Sequence, residues 1–314
     1  MSKAINNKTV AAAETQGAAA AADGADNARP ANTTAAYRSA WAAWQAWAEE
    51  RGASALPAGP DTVAAYLAHR AAAGAKLATV RLAKAAIAAA HREAGADNPC
   101  ASALVTRTVK GLARAAGNAA QKQAAALTGE ALAAIRATAT APRRGRGGRL
   151  ETADGATRRG LVDIALCVVM ADGGLRRSEA AALLWGDVAR AEGGSGRVTI
   201  RQSKPGGEGL DAVVAITARA MADLAAIRGA AADDAPVFGM SAAQISRRLK
   251  EAGKAAGLGT GFSGHSGRVG MARRMTSNGA PMAVTMHQGR WKSPRMVTRY
   301  TREEPESAAL AYLC

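Results

Sequence analysis

Alanine stands at many of the positions where this chain would otherwise carry a large apolar side chain: 48% of its 314 residues are hydrophobic, but only 4% are aromatic. Alanine loses no side-chain entropy in a helix and lets helices approach closely, so the composition points to a mostly helical protein with close-packed cores. The length suits two domains. Cys100, Cys167 and Cys314 are odd in number, widely spaced and without a CxxC pair, which speaks against a disulfide framework and against a zinc site. The N-terminus has no apolar signal core. The most apolar run, Leu161 to Met170, contains Asp163 and is too short to span a bilayer. A soluble, cytoplasmic protein with no membrane partner is expected.

The formal net charge is +16, which concerns partners more than fold. Nucleic acid is the first partner class to consider and an anionic membrane surface the second. The charge is concentrated. Between Ser241 and Tyr300 there are eleven Lys or Arg and a single acid, Glu251. A block this lopsided reads as a binding patch rather than as a uniformly solvated face.

Breaks and periodicity divide the chain into a flexible tail (1–32), a helical domain (33–117), a linker (118–127) and a second domain (128–314). In the helical domain the expected helices run from Thr33 or Thr34 to Arg51, Asp61 to Ala73, Leu77 to Ala94 and Ala101 to Ala116. Tyr37, Trp41, Trp44 and Trp47 share one face of the first helix; a core-facing stripe is the plainer reading, stacking on bases the other. In the second domain Thr128 is a candidate N-cap. Pro142 to Gly148 read as a basic, glycine-rich loop, and helices are expected over Thr157 to Ala171 and Arg177 to Leu184. Arg197 to Gln202 and Leu210 to Ile216 alternate as two strands around a Ser203–Gly209 turn. Helix returns after Thr217. The fold class expected is mainly α with a small antiparallel β-sheet.

Four stretches carry chemistry: GGLRRSEAAALLWGDV (173–188), Lys204 in the turn, SGHSGRVGMARRM (263–275) and GRWKSPRMVTRYTR (289–302). Singly, each has an ordinary reading as surface charge or packing. In this order and spacing they resemble the tyrosine site-specific recombinase (phage integrase) family, most closely its Cre branch. Arg176 and Glu179 match the family's Arg-x-(Ser/Ala)-Glu stretch, Lys204 its hairpin lysine, and His265 and Arg268 its His-x-x-Arg. Trp291 and Tyr300 match its His or Trp nine residues before the nucleophilic Tyr. The resemblance spans about residues 33 to 312, including the AWAAW stretch near the start.

The resemblance implies an N-terminal helical bundle (SAM-like, core-binding) and a catalytic domain that together close a C-shaped clamp on DNA. Tyr300 would attack a phosphodiester to give a 3′-phosphotyrosine and a free 5′-hydroxyl, so rejoining needs no ATP. Arg176 and Arg268 would donate paired hydrogen bonds to the non-bridging oxygens, with no metal or cofactor. Lys204 would protonate the leaving oxygen, and His265 would bond the phosphate or help move the tyrosine proton. Trp291 would donate its indole N–H, and Glu179 would orient its neighbours. Candidate groove contacts are Arg81 and Lys84 on the third N-terminal helix, and Gln244, Arg247 and Arg248 on a helix near Ser241.

The implied partner is double-stranded DNA with inverted-repeat sites, bound by a homodimer on one site and a homotetramer in the synapse. Accessory proteins are left open. A final helix over Ser307 to Leu313 would dock on a neighbouring subunit or on its own domain. Two alternatives share the scaffold: a type IB topoisomerase that only relaxes DNA, and a DNA-binding protein without catalysis. A basic membrane-surface or RNA-binding protein explains the charge but not the ordered residues.

Overall fold

The computed structural model describes residues 31–117, 123–145, 147–201 and 211–301. Lys204, the Ser203–Gly209 turn, the Ser307–Leu313 segment and Cys314 lie outside the described residues. The chain divides into two compact units, Met1–Gln121 and Lys122–Cys314.

The first unit is all helical among its described residues: α1 (Ala31–Glu49), α2 (Pro60–Ala72), α3 (Leu77–Glu93) and α4 (Ala103–Ala115). Pro60 at the first helical position and Asp61 in the first turn suit the start of α2. The helix expected from Ala101 begins two residues later, because Asn98 first closes a 3₁₀ turn over Pro99–Ala101 and Ser102 then caps α4. The aromatic stripe of α1 turns into the core. Trp44 is fully buried, stacks on Trp47 at 5.8 Å and meets Tyr66 of α2 edge-on at 5.0 Å. Its indole N–H donates to the carbonyl of Ala55. The core reading of the stripe holds at Trp44, and base stacking is excluded there.

The second unit is built around α6 (Ala153–Gly173), which follows α5 (Gly129–Thr138). Every residue from Asp163 to Gly173 is buried, so this helix is apolar around its whole circumference, as a central helix must be. It carries two buried carboxylates: Asp163 is met by Arg143, Arg159 and Arg248, and Asp172 by Arg274. Thr128 caps α5 through its hydroxyl, as its position suggested. The tie between 123–127 and this unit is direct: the Ala125 N–H donates to Gly261 and the Leu127 N–H to Ser266.

After α6 come α7 (Arg177–Ala182) and a three-stranded antiparallel sheet in the order β1 (Val188–Arg190), β2 (Gly196–Ile200), β3 (Ala212–Ile216). The register pairs Val188 with Val198 and Val198 with Val214. Val198, Ile200, Val214 and Ile216 face the core by the alternation expected of a half-buried sheet. β1 was not anticipated, since three residues are too few to display a period. Then follow α8 (Ala218–Arg228), α9 (Ala242–Ala255), α10 (Ser266–Ser277), α11 (Met282–Gly289) and α12 (Pro294–Thr301). The molecule is mainly helical with a small antiparallel sheet. Among the described residues no helix is long and apolar enough to cross a membrane.

Candidate active site

The site grows from the end of α6. Gly174 adopts a left-handed conformation (φ 55°) that ends the helix, and Leu175 is buried immediately after it. This sharp exit sets Arg176 at the start of α7. There the backbone N–H of Arg176 donates to the Glu179 carboxylate at 2.7 Å, and its guanidinium pairs with the same carboxylate. One edge of Arg176 is therefore fixed while the side chain remains 51% exposed. Glu179 is held below the ordinary carboxylate range: burial opposes this, but the Arg176 N–H and the Arg290 and Arg176 charges outweigh it.

α10 supplies the second arginine. It packs against α6 so tightly that a Cβ at Gly267 would run into the backbone carbonyl of Met170. That contact carries Arg268 inward until it is only 3% exposed. Its guanidinium donates to the carbonyls of Gly174 (2.8 Å) and Gly289 (2.7 Å) and lies 4.9 Å over the ring of Trp291. Burial first, then Arg176 and Arg290, press its pKa down to about 10, so it stays cationic at neutral pH. His265 stands at the first turn of α10 with one side open to solvent. Lost hydration is the larger cause, and Arg268, Arg177, Arg176 and Arg299 add to it, in lowering its pKa below the ordinary imidazole range.

The third part is the α11–α12 turn. Trp291 is 7% exposed, and its indole N–H is buried without a partner among the described residues. Gly289 is required beside it, because any Cβ there would enter the six-membered ring. Tyr300, on α12, packs its ring on Trp291 at 5.5 Å and 35°. Val297, one turn earlier, anchors α12 in a small cluster with Met271, Ala272 and Trp291. The Tyr300 carbonyl accepts from Gln123 Nε2 (3.1 Å) and Arg273 Nε (3.3 Å). Arg268, Trp291 and Tyr300 thus lie in successive layers, with Arg268 within electrostatic reach of the phenol.

Of the sequence candidates, Arg176, Glu179, His265, Arg268, Trp291 and Tyr300 converge here, and Lys204 lies outside the described residues. The groove candidates fare differently. Arg81 and Arg247 are exposed, and Lys84 is half-buried. Gln244 is exposed but spends its side-chain oxygen on the Ser241 N–H in a capping box. Arg248 is a correction: its guanidinium turns inward to Asp163 (2.6 Å) and the Arg159 carbonyl (3.0 Å), because the buried carboxylate needs it. Arg290, which lies in the fourth stretch but has no role assigned by it, is engaged with Glu179 and with the Gly173 and Gly174 carbonyls. Its only sequence signal is its place between Gly289 and Trp291. Among the described residues no group of three or more His, Cys, Asp or Glu is placed to hold a metal ion.

The arrangement brings together two guanidinium groups, an indole N–H without an acceptor among the described residues and a phenol, with Glu179 as the carboxylate paired to Arg176 and Arg290. A group that can satisfy all of these donors is a tetrahedral oxyanion. The sequence profile of the phage integrase family matches residues 150–307, half of the chain. No curated protein matches it significantly. Among solved structures, the chain is similar to a lambda integrase dimer bound to a core site (20% identity, 90% of this chain and 92% of that one, TM-score 0.58). It is also similar to the Tn1549 transposon integrase bound to transposon end DNA (14%, 94% and 96%, 0.60) and to the XerH recombinase bound to its difH substrate (17%, 82% and 72%, 0.56). At these identities the likeness is one of fold.

Proposed function

Because the chain belongs to the phage integrase family, we propose that it is a site-specific DNA recombinase whose nucleophile is Tyr300. The observation that carries the proposal is the under-neutralised cation pocket: Arg268, buried and depressed to about 10, beside Arg176 and an unpartnered Trp291 N–H. Such a pocket is relieved by an anion, and a scissile phosphate supplies one as its charge develops. In this reading the Tyr300 oxygen attacks phosphorus and the bond to the 5′ oxygen breaks. The phenolic proton passes to His265, which is kept neutral by its surroundings, and Lys204 gives a proton to the departing oxygen. The product is a 3′-phosphotyrosine, and attack on it by a 5′-hydroxyl from the partner duplex completes strand exchange.

Both units would then contact the duplex, with Arg81 of the first and Arg247 of the second among the candidate contacts. A homodimer occupies one inverted-repeat site and a homotetramer forms the synapse, in the manner the Cre-like stretches imply, on DNA in the cytoplasm. A nicked suicide duplex, in which the cleaved end diffuses away, tests the chemistry. The wild-type chain should become covalently attached, and Tyr300→Phe should bind the same DNA without forming the adduct. Adduct formation by Tyr300→Phe would mean that the nucleophile is another residue. A two-site plasmid separates recombination from mere relaxation: deletion or inversion between sites supports the proposal, and relaxation alone supports a topoisomerase.

A further inference from the structure

Arg290 is the one described residue other than glycine with a positive φ (54°, ψ 45°). An L-residue in that conformation is strained, and a strained backbone persists where the surrounding contacts hold it. Its backbone N–H closes the end of α11 on the His287 carbonyl at 3.0 Å, and the long-range contacts are made by the side chain. Arg290 reaches across to the exit of α6, donating to Gly173 (3.0 Å), Gly174 (3.1 Å) and the Glu179 carboxylate (2.7 Å). Its neighbours in sequence, Gly289 and Trp291, are respectively an acceptor for Arg268 and the ring beneath it.

Resting on the recombinase reading, we infer that Arg290 is a positioning residue that sets both phosphate-facing arginines. Two links carry the inference. First, Glu179 divides its oxygens, one to the Arg176 guanidinium and the other to Arg290 and the Arg176 N–H. Remove Arg290 and this carboxylate, only 13% exposed, is left to Arg176 alone, drawing it away from a phosphate. Second, the Gly174 carbonyl accepts from both Arg268 and Arg290. The two arginines therefore share one fixed point on the turn that also launches Arg176. Both terminal nitrogens of Arg290 are engaged with acceptors of its own unit, and its side chain is only 12% exposed.

Arg290→Gly separates positioning from folding, because glycine accepts the left-handed conformation without strain while losing every guanidinium bond. Adduct formation is measured on two nicked duplexes, one with the natural scissile phosphate and one with a neutral methylphosphonate at that bond. The methylphosphonate lacks the charge that Arg176 and Arg268 neutralise, so misplaced arginines matter less to it. We expect Arg290→Gly to slow adduct formation at least tenfold on phosphate and several-fold less on methylphosphonate, at unchanged DNA affinity. Arg290→Lys, keeping the charge toward Glu179 without the forked reach, should fall between, and it carries the same comparison if the glycine variant does not fold. Equal losses on both duplexes, or no loss, overturn the role of Arg290 while leaving the recombinase reading intact. A wild-type chain that forms no adduct on phosphate overturns both.

Discussion

At the scale of single residues, the pocket is organised by groups whose needs are left unmet. The Trp291 N–H has no acceptor among the described residues, yet the ring is packed by Arg268 on one side and Tyr300 near it. Trp291→Phe removes the donor and keeps most of the packing. Folding loses no hydrogen bond, so the melting temperature should change little. If the indole bonds a phosphate oxygen in the transition state, a bond of about 1.5–3 kcal/mol disappears, and adduct formation should slow by about ten- to a hundred-fold. An unchanged rate would remove Trp291 from the chemistry. His265 makes a second prediction through pH. Its folded pKa lies below the unfolded value of about 6.5, so the folded chain binds fewer protons there. Stability is accordingly lost as pH falls from about 6.5 toward the folded pKa. Cleavage should be flat near neutrality and decline only below about pH 6.5, when protonation adds a cation beside the arginines and removes the acceptor for the phenolic proton. His265→Gln, which cannot titrate, should abolish that acid limb. A limb that persists in the variant would assign it to another group.

At the scale of elements, the site depends on how closely α10 lies on α6. A Cβ at Gly267 meets the Met170 backbone, which has no rotamer to change, and one at Gly270 meets the backbone of Leu127. Gly267→Ala should therefore push the helices apart, costing about 1–3 kcal/mol. In a unit of this size that lowers the melting temperature by roughly 2–4 °C per kcal/mol, and Arg268 is displaced with it. The same change at Gly111, exposed on α4 with nothing near it, should have the opposite sign, since alanine is the better helix former. Thermal melts of the two variants give the comparison, and a stable Gly267→Ala would show that α10 tolerates the shift. These contacts also mark the limit of what the sequence made legible. The helices around the Trp stripe, the Thr128 cap and the β2–β3 pair follow from periodicity and turn chemistry, which are local, whereas Thr33 and Thr34, the expected start of the first helix, lie within α1. Arg176, His265, Arg268, Trp291 and Tyr300 were candidates because their order and spacing resemble the motifs of a known family. Arg290 was not, because its role requires a left-handed backbone and an acceptor more than a hundred residues away. Arg248 was misjudged for the same reason. An arginine on an amphipathic helix looks outward until the buried Asp163 it serves is known.

At the scale of the whole molecule, the eleven Lys and Arg between Ser241 and Tyr300 overstate what is available to a polyanion. Within the basic block from Ser241 to Tyr300, Arg248, Arg274 and Arg290 are committed to Asp163, Asp172 and Glu179, acids that lie elsewhere in the chain. These arginines have been spent on holding elements together, so a count of basic residues is not a count of phosphate contacts. The difference is measurable, since each phosphate contact contributes about 0.9 to the slope of log affinity against log salt concentration. The adjacent residues Arg247 and Arg248 provide the contrast. Arg247 is exposed, and Arg247→Ala should lower the salt slope by about one with little effect on stability. Arg248→Ala should leave the slope unchanged but destabilise the second unit, because Asp163, with no exposed side-chain surface, loses its 2.6 Å partner. Breaking such a buried pair costs about 3–5 kcal/mol, moderated here by Arg143 and Arg159 at 3.3 Å. DNA affinity measured from low to moderate salt, beside a thermal melt of each variant, separates the two outcomes. Equal changes of slope would mean that Arg248 leaves Asp163 for the DNA backbone, and the inward network around α6 would then be a reservoir of cations rather than a fixed part of the core.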